Sequence, residues 1–490
     1  MVLYISIAIS IIFVIWGIFY SDSLGKVSNI LLDKIIDQFG WFYLITALVI
    51  LLFAVFLAFS KFGRIRLGKD NERPEYSTFT WFSMLFSAGM GIGLVFWGVA
   101  EPIFHYAQPP IGISPESTES TIMAMRYSFF HWGFHPWAMY AIVGMSLAYV
   151  TFRQNRPCTI SSTLYPLIGE KANGSFGKFV DIMAILVTIF GVATSLGMGA
   201  LQVNGGLSYL FKIPNNTMSQ IIIIVLITLL FILSATSGIN KGIKLLSNTN
   251  VAIASVIMMV ILFIGPTAFI LDTFTLSLGG YLQNIIEMSL KTTPITKDPW
   301  LGAWTLTYWA WWIAWSPFVG TFIARISRGR TIREFVLGVL VVPSIFSFIW
   351  FSVLGGTALH FEIVEGFNIA SEILKDVSTG LFVTLSFLPL GYIISIIIIV
   401  LIVTFFITSA DSSTFVLAMF SSKGILNPKT NIKIVWGIVQ SLIAIVLLLS
   451  GGLQAIKGIS IIMALPFVFI MILMCISLYK AVNKEIKEHK

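Results

Sequence analysis

Long apolar runs separated by short polar connections dominate this chain. Twelve runs are close to 20 residues long, the length at which an apolar helix crosses a bilayer. Inside a bilayer every backbone N–H and C=O must be satisfied within the protein, so we expect these runs to be helical. They lie at about residues 3–20, 41–60, 80–100, 128–151, 180–203, 218–236, 250–271, 301–322, 335–358, 390–417, 434–451 and 459–479. The pattern predicts an all-α, polytopic membrane protein with twelve transmembrane helices.

The composition agrees with this pattern. Of the 490 residues, 57% are hydrophobic and 11% are charged, whereas roughly 25% of the residues in soluble domains are charged. The first run lacks a basic start and a small-residue cleavage site, so we interpret it as a transmembrane helix and not as a signal peptide.

The basic residues are distributed as topology signals. The net charge is +8, and most of the 30 Lys and Arg residues fall in alternate connections. By the positive-inside rule these connections face the cytoplasm, and twelve spans then place both termini there, in the cell membrane. This distribution argues against a nucleic-acid partner. The basic connections lie around residues 61–73, 153–178, 241–244, 325–333, 423–433 and 480–490.

The sequence shows no sign of enzymatic chemistry. Cys158 and Cys475 are far apart along the chain and offer neither a disulfide framework nor a metal site. His131 and His135 are spaced i, i+4, but no carboxylate accompanies them in the sequence, so we expect them to pack between helices. Without a nucleophile–base pair or a cofactor motif, we expect neither an enzyme nor a bound cofactor.

Two of the predicted spans contain helix-breaking residues. The third span includes "SAGMGIGLVFWG", with Gly89, Gly91 and Gly93 at alternate positions, and the eighth includes "WSPFVG", with Pro317. Paired broken helices expose backbone groups that hold ions at mid-membrane in transporters. The glycines are also compatible with close helix packing, although small residues four apart are the usual pattern for it. Each break opens a group of five spans.

A cluster of hydroxyl side chains lies near the end of the tenth apolar run. The stretch "FFITSADSSTF" places Thr408, Ser409 and Asp411 at the end of that run. Hydroxyls and freed carbonyls suit a hard cation such as sodium, although membrane Ser and Thr often bond back to their own helix. Asp411 either caps or pairs within the bundle, or has a function as an intramembrane carboxylate.

Tryptophans are concentrated in "YWAWWIAWSPFVG", residues 308–320. Helical spacing places Tyr308, Trp311, Trp312 and Trp315 on one face, with Trp309 pointing elsewhere. A second aromatic set in "FHWGFHPWAMY" contains Trp132, Trp137 and Tyr140. An interfacial aromatic belt is the alternative explanation. A dense stripe of rings beside a helix break favours a cage for a quaternary ammonium, and the scarcity of charged side chains favours a zwitterion.

Four motifs together resemble the betaine/choline/carnitine transporter family. They are "GMGIGLVFWGVAEP", "FHWGFHPWAMY", "YWAWWIAWSPFVGTFIARISRGRTIREF" and "FFITSADSSTFVLAM". The resemblance extends over nearly the whole chain. The tryptophan motif followed by "ARISRGRTIREF" is its most specific part.

The resemblance implies a particular architecture. The family has twelve transmembrane helices with a five-plus-five inverted-repeat core similar to the sodium symporter fold, and characterised members are trimers. On this chain it implies two accessory helices in 1–75, a first repeat with an amphipathic surface helix in 76–295, a second repeat in 296–482, and a short tail in 483–490. The segment 273–291 resembles the surface helix near the trimer contact.

The resemblance also implies site residues. The substrate site would comprise Trp132, Tyr140, Trp311, Trp312 and Trp315, with Trp137 close by. A sodium ion would be held by the backbone carbonyls of Ser87, Met90 and Phe405 and the hydroxyls of Thr408 and Ser409. A second sodium position would use Thr188 and Phe318, but its other threonine position is Val192, which has no side-chain oxygen.

The implied activity is sodium-driven import of glycine betaine or a related trimethylammonium osmoprotectant by alternating access. Proton-coupled choline transporters of the family carry an aspartate where this chain has Gly93, so the resemblance favours sodium. Proton-coupled choline uptake and betaine/carnitine-type exchange remain the alternatives.

Two charged features have two interpretations each. Arg325, Arg328, Arg330 and Arg333 either anchor the cytoplasmic end and set topology, or form a cytoplasmic gate network. We expect Glu101 to be a solvated loop charge just beyond the third span. Its alternative is an extracellular gate partner.

Overall fold

The computed structural model describes residues 1–89, 91–236 and 240–488, whose regular structure is helical apart from one antiparallel bridge between Arg66 and Thr331. The all-α prediction is confirmed. The first part of the chain forms α1 (Val2–Phe19), α2 (Ser21–Phe59), α3 (Thr78–Gly89), α4 (Ile92–Ala107), α5 (Thr118–Trp132), α6 (Phe134–Ala148), α7 (Ile160–Thr163), α8 (Tyr165–Ile168), α9 (Ser175–Phe211), α10 (Thr217–Thr236), α11 (Asn240–Ile264) and α12 (Thr267–Leu290). The second part forms α13 (Pro299–Leu301), α14 (Thr307–Ile326), α15 (Ile332–Ile363), α16 (Ile369–Lys375), α17 (Gly380–Ser386), α18 (Gly391–Ser421), α19 (Thr430–Leu449) and α20 (Gly452–Glu488).

Within these described ranges, nine helices are long and apolar enough to cross a membrane. They are α1, α2, α9, α10, α11, α15, α18, α19 and α20, and they overlap nine of the twelve predicted runs. The predicted runs 80–100, 128–151 and 301–322 correspond instead to the pairs α3–α4 and α5–α6 and to α14. These elements are shorter or richer in polar and aromatic residues, and they carry most of the candidate site.

Two of these three runs are split into short helices. The interruption expected at the glycine run is present, since α3 ends at Gly89 and α4 begins at Ile92. A second interruption, which we did not predict, separates α5 from α6 at Gly133. A Cβ atom at Gly133 would lie 2.6 Å from the carbonyl oxygen of Phe129 and 2.9 Å from the ring of Phe348, so only glycine fits.

The helix break expected at Pro317 is absent. Helix α14 continues through this residue to Ile326. Proline lacks the N–H that would bond to the carbonyl four residues earlier, which belongs to Ile313. The hydroxyl of Ser316 donates to that carbonyl at 2.7 Å and replaces the missing bond. The expectation was wrong because the residue preceding the proline compensates for it.

The arginine-rich connection before α15 is bound to the connection after α2. The guanidinium of Arg330 donates to the carbonyl of Tyr76 at 2.7 Å, and Arg328 pairs with Glu72 at 2.5 Å. The guanidinium of Arg325 instead lines a neighbouring cavity of about 520 Å³. At least two of the four predicted arginines therefore hold two connections together at one end of the bundle.

Helices α6 and α14 approach each other closely at Gly144 and Gly320. A Cβ atom at Gly320 would lie 2.8 Å from Cβ of Val143 and 2.9 Å from the backbone nitrogen of Gly144. Small residues permit such backbone contact between membrane helices. This contact fixes the position of the tryptophans of α14 relative to the aromatic residues of α6.

We predict that Gly320→Ala destabilises the fold. The added methyl group must push α6 and α14 apart, an overpacking that costs about 1–3 kcal/mol. The melting temperature of the purified protein in detergent should fall. Gly279→Ala on α12 is the matched control, because nothing lies within 4 Å of its added Cβ atom. An unchanged melting temperature for Gly320→Ala would show that the interface is looser than described.

Candidate functional site

Six predicted aromatic residues meet around one small cavity. The aromatic cage consists of Trp132 of α5, Trp137 and Tyr140 of α6, and Trp311, Trp312 and Trp315 of α14. The cavity has a volume of about 40 Å³ and is also bordered by residues of α4 and by Ser347. The structure thus brings together all of the residues predicted to bind substrate, although they come from three helices.

The rings form perpendicular walls. Trp311 and Trp312 are stacked, with centroids 4.7 Å apart and planes 13° apart. Trp132 meets Trp312 edge-on at 4.8 Å and 73°. Ring faces carry negative partial charge, so a cage of this kind attracts a cation.

Hydrogen bonds from indole N–H groups hold the tryptophans of α14 in place. The N–H of Trp312 donates to the carbonyl of His131 at 2.9 Å, and that of Trp315 to the carbonyl of Gly191 at 2.8 Å. The N–H of Trp311 donates to the hydroxyl of Ser195 at 3.3 Å. Since these polar edges are bonded to the scaffold, the ring faces remain available to the cavity.

The first turn of α4 borders the same cavity. Gly91, Gly93 and Leu94 line it, and Gly91 is the N-cap of the helix. The first N–H groups of a helix have no partner within the helix, and the helix dipole places partial positive charge there. A Cβ atom at Gly93 would overlap the ring of Trp311. Glycine at this position therefore lets the helix end and the ring approach each other.

Glu101 is fully buried behind the cage, so the prediction of a solvated loop charge is wrong. Its Oε2 atom accepts hydrogen bonds from the indole N–H of Trp132 at 2.7 Å and from the hydroxyl of Tyr308 at 2.5 Å. Its Oε1 atom faces Nδ1 of His131 at 2.7 Å and Nε2 of His105 at 3.3 Å. A buried carboxylate is tolerated when it is surrounded by donors in this way.

The expectation that no carboxylate accompanies His131 is also wrong. Nδ1 of His131 faces Glu101, and its Nε2 atom lies 2.9 Å from the hydroxyl of Thr305, which is its second hydrogen-bond partner. Glu101, His105 and His131 have the composition of a metal-binding group. Because the carboxylate oxygens and both nitrogens of His131 already have hydrogen-bond partners, the cluster forms a hydrogen-bonding network that orients the cage.

Trp309 lies outside the cage, as its helical position predicts. Its ring is fully buried and stacks on His135, with centroids 5.2 Å apart and planes 17° apart. His135 also bonds through Nε2 to the hydroxyl of Ser289 on α12, at 2.9 Å. This pair packs between helices, which agrees with the packing role expected for His135.

Only part of the predicted sodium site can be described. Met90 lies outside the described residues, and Ser87 is described by its backbone alone, in the last turn of α3. On α18 the hydroxyl of Thr408 donates to the carbonyls of Thr404 and Phe405 at 3.0 and 3.1 Å. This is the back-bonding that membrane threonines often make. The hydroxyl proton of Thr408 is therefore committed to these backbone carbonyls, while the lone pairs of its oxygen remain available to a cation.

Thr408 also lines the cavity of about 520 Å³ that Arg325 borders, which we call the α18 cavity. Met84 of α3 and Ser412 of α18 line it as well. The two elements predicted to hold sodium, α3 and α18, therefore face the same space. Ser409 is half-buried on the same helix.

The residues of the second predicted sodium position lie on facing helices. Thr188 is fully buried on α9, and its hydroxyl donates to the carbonyl of Ala184 at 2.6 Å. Phe318 of α14 packs against Trp315 at 5.5 Å. Val192, also buried on α9, supplies no oxygen, as the sequence indicated.

Sequence reasoning missed Glu101, Gly133 and Ser195. A carboxylate at the end of an apolar run, with His105 four residues later on the same helix face, was the available signal for Glu101. Gly133 followed by Pro136 was the signal for the second interruption. Nothing in the sequence marked Ser195 as the partner of Trp311, since the two are joined only by the fold.

The chain is similar to known proteins over nearly its whole length. A family model described as betaine/carnitine/choline family transporter matches residues 1–487. The chain is 51% identical to the glycine betaine transporter OpuD of Bacillus subtilis (strain 168), over 100% of this chain and 95% of that protein. It is 46% identical to the ectoine/hydroxyectoine transporter of Virgibacillus pantothenticus, over 99% of this chain and 97% of that protein. It is 40% identical to the osmo-dependent choline transporter BetT2 of Acinetobacter baylyi (strain ATCC 33305 / BD413 / ADP1), over 99% of this chain and 71% of that protein. These relatives are named for different substrates, so the similarity alone does not identify the substrate.

We predict that Glu101→Gln destabilises the protein and disturbs the cage. The amide keeps the volume but turns an NH₂ group toward hydrogen-bond donors, and a hydrogen bond to a charged group contributes about 1.5–3 kcal/mol. The melting temperature should fall, and the near-ultraviolet circular dichroism of the tryptophans should change. Glu116→Gln, at an exposed glutamate in the connection after α4, is the control. Unchanged stability and spectra for Glu101→Gln would contradict the assigned network.

Proposed function

The chain belongs to the betaine/carnitine/choline transporter family, and from this premise we propose that it imports glycine betaine, or a closely related trimethylammonium osmoprotectant, by sodium symport with alternating access. It is a transporter and not an enzyme. The observation that carries the proposal is that the aromatic cage and the N-terminal end of α4 border one cavity.

The cage suits the methylated end of such a substrate. A quaternary ammonium has no N–H to donate, so ring faces are its natural partners. Each cation–π contact contributes about 0.5–1 kcal/mol when exposed and about 2 kcal/mol or more when desolvated. Trp132, Trp311 and Trp312 are all buried, so the larger value applies to them.

The N-terminal end of α4 suits the opposite end of the substrate. Glycine betaine carries a carboxylate, and unpaired N–H groups at a helix N-terminus bind anions. Discontinuous helices bind substrate carboxylates in this way in other transporters. Choline has no carboxylate to place there. The site therefore favours a zwitterion over a net cation.

The fold supports twelve membrane crossings in the proposed transporter. Nine of the described helices qualify by length and composition, and α3–α4, α5–α6 and α14 supply the remaining three. We assign accessory helices to 1–75, inverted repeats to 76–295 and 296–482, and a cytoplasmic tail to 483–490. Both termini then lie in the cytoplasm, with the protein in the cell membrane.

Helix α12 supports a trimer contact, as in the family. It is the predicted amphipathic surface helix, although it begins at Thr267, earlier than expected. Leu271, Leu276, Leu282 and Ile286 are about half exposed along it, at 51–55%. This apolar surface is available to lipid or to a second copy of the chain.

The α18 cavity supports sodium as the coupling ion. Hydroxyl and carbonyl oxygens are the ligands that hard cations prefer, and Thr408 presents an oxygen there. Gly93 borders the cage at the position where proton-coupled choline transporters of the family carry an aspartate, and glycine has no side chain that could carry a proton. The same cavity, bordered by Arg325 at the end of α14 next to the basic connection, supports an arrangement open toward the cytoplasm. Thr188 and Phe318 form at most part of a second ion site, because Val192 lacks an oxygen.

The substrate proposal is tested by ligand-dependent stabilisation. Glycine betaine should raise the melting temperature of the purified protein, since a ligand at about 100 times its Kd stabilises by about 2.7 kcal/mol. Trp312→Leu should lose at least about tenfold in affinity, equivalent to about 1.4 kcal/mol. Trp312→Phe should lose less, because it keeps a ring. Trp41→Leu, at an exposed tryptophan, is the control.

Each alternative substrate gives a distinct outcome in this assay. Stabilisation by choline or ectoine but not by glycine betaine would overturn the substrate assignment. Equal binding of glycine betaine by wild type and Trp312→Leu would overturn the cage.

The coupling ion is tested by uptake into proteoliposomes with sodium and proton gradients imposed separately. We predict that glycine betaine accumulates only with a sodium gradient. Thr408→Ala should raise the sodium concentration for half-maximal uptake about tenfold, the effect of losing about 1.4 kcal/mol of binding. Thr404→Ala, one turn earlier on α18, is the matched control. Uptake at full rate without sodium would refute symport, and uptake only by exchange for internal substrate would indicate an antiporter.

A further inference from the structure

A lysine side chain is held against two tryptophans beside the cage. Lys457 lies near the start of α20, and its Nζ atom is 4.6 Å from the ring centroid of Trp97 and 4.9 Å from that of Trp304. These two rings meet edge-on at 5.4 Å. The ammonium therefore occupies a small aromatic site of its own, and the side chain is half-buried.

One indole separates this site from the cage. Lys457, Trp97 and Trp304 line a very small cavity together with Tyr308 and Trp311. Trp311 also lines the cage cavity. The positive charge thus lies directly behind a wall of the cage, where charges interact more strongly than in bulk water.

The charge of Lys457 is not cancelled by a direct ion pair. Among the residues that the structure describes, no carboxylate oxygen lies within 4.0 Å of its ammonium. Glu101 is the carboxylate close enough to interact electrostatically with it. Both oxygens of Glu101 are already directed to donors on Trp132, Tyr308 and the two histidines. Those hydrogen bonds leave the negative charge of Glu101 in place, so Lys457 offsets the negative potential that this carboxylate would otherwise present to a cationic ligand in the cage.

We propose that Lys457 is a specificity-determining residue that selects zwitterions over net cations at the aromatic cage. A ligand such as choline brings an uncompensated positive charge toward the lysine, whereas the carboxylate of a zwitterion offsets that repulsion. The aromatic rings alone would accept both ligands, because they recognise the methylated ammonium that the two share. The inference rests on the proposed function, and it assigns the discrimination to a residue that does not line the cage.

The lysine also fills the aromatic faces on its own side of Trp311. Trp97 and Trp304 would otherwise offer a second surface to a methylated cation. With the Lys457 ammonium over both rings, that surface is closed to one. The same side chain therefore opposes the binding of a net cation at two sites, which are the cage and the surface formed by Trp97 and Trp304.

The test compares the binding of glycine betaine and choline to Lys457 variants in the purified full-length protein, by competition for labelled ligand. Lys457→Gln and Lys457→Met should each change the ratio of the two dissociation constants by about tenfold in favour of choline. Lys457→Arg, which retains the charge, should keep the ratio of the wild type. Lys297→Gln removes an exposed charge from the connection that precedes α13 and is the matched control.

An unchanged ratio in both Lys457→Gln and Lys457→Met would overturn the inference while leaving the proposed function intact. An equal loss of affinity for both ligands, with the ratio unchanged, would show a purely structural role and would also overturn it. Failure of the wild type to bind either ligand would refute the proposed function itself, and with it this inference. The ratio is measured within each variant, so a partial loss of folded protein does not affect it.

Discussion

The buried carboxylate of Glu101 connects the parts of the molecule that form the cage. It lies on α4 and bonds to Trp132 of α5 and Tyr308 of α14, while its histidine partner His131 accepts the indole N–H of Trp312 through its carbonyl. A carboxylate that is buried away from water is costly unless hydrogen-bond donors surround it, so these contacts must be kept. The positions of α4, α5 and α14 are therefore coupled. A shift of one of these helices would also move the rings of the cage. The aromatic residues form the walls of the cage, and the carboxylate helps to hold those rings in position.

Much of the architecture was predictable because membrane helices can be recognised in a sequence by their length and apolar composition. Nine predicted runs coincide with helices of membrane length. The six cage residues were also identifiable, since Trp311, Trp312 and Trp315 share one helical face and the family motif adds Trp132, Trp137 and Tyr140. Local periodicity was sufficient for the helices and for the tryptophans of α14, while the family resemblance was needed to join them with the residues of α5 and α6.

The remainder depended on contacts between distant segments. Glu101 resembled a loop charge because its donors lie about 30 and 200 residues further along the chain. Pro317 suggested a break because propensity cannot show that the Ser316 hydroxyl turns back to the Ile313 carbonyl. Gly133 ends α5 with a non-helical ψ of −133°, and its neighbours Phe129 and Phe348 leave no room for a side chain at this position. In each case tertiary packing decided between two outcomes that the local sequence allowed.

The replacement bond at Pro317 has a mechanical consequence. An ordinary helical bond joins two rigid peptide groups, so bending the axis must stretch it. The bond from Ser316 ends on a rotatable side chain, which can follow its acceptor through a change of angle. A change of angle at Pro317 would therefore leave the carbonyl of Ile313 paired within the membrane. Such a change of angle would alter the orientation of the tryptophans that precede Pro317 relative to Arg325, which follows it.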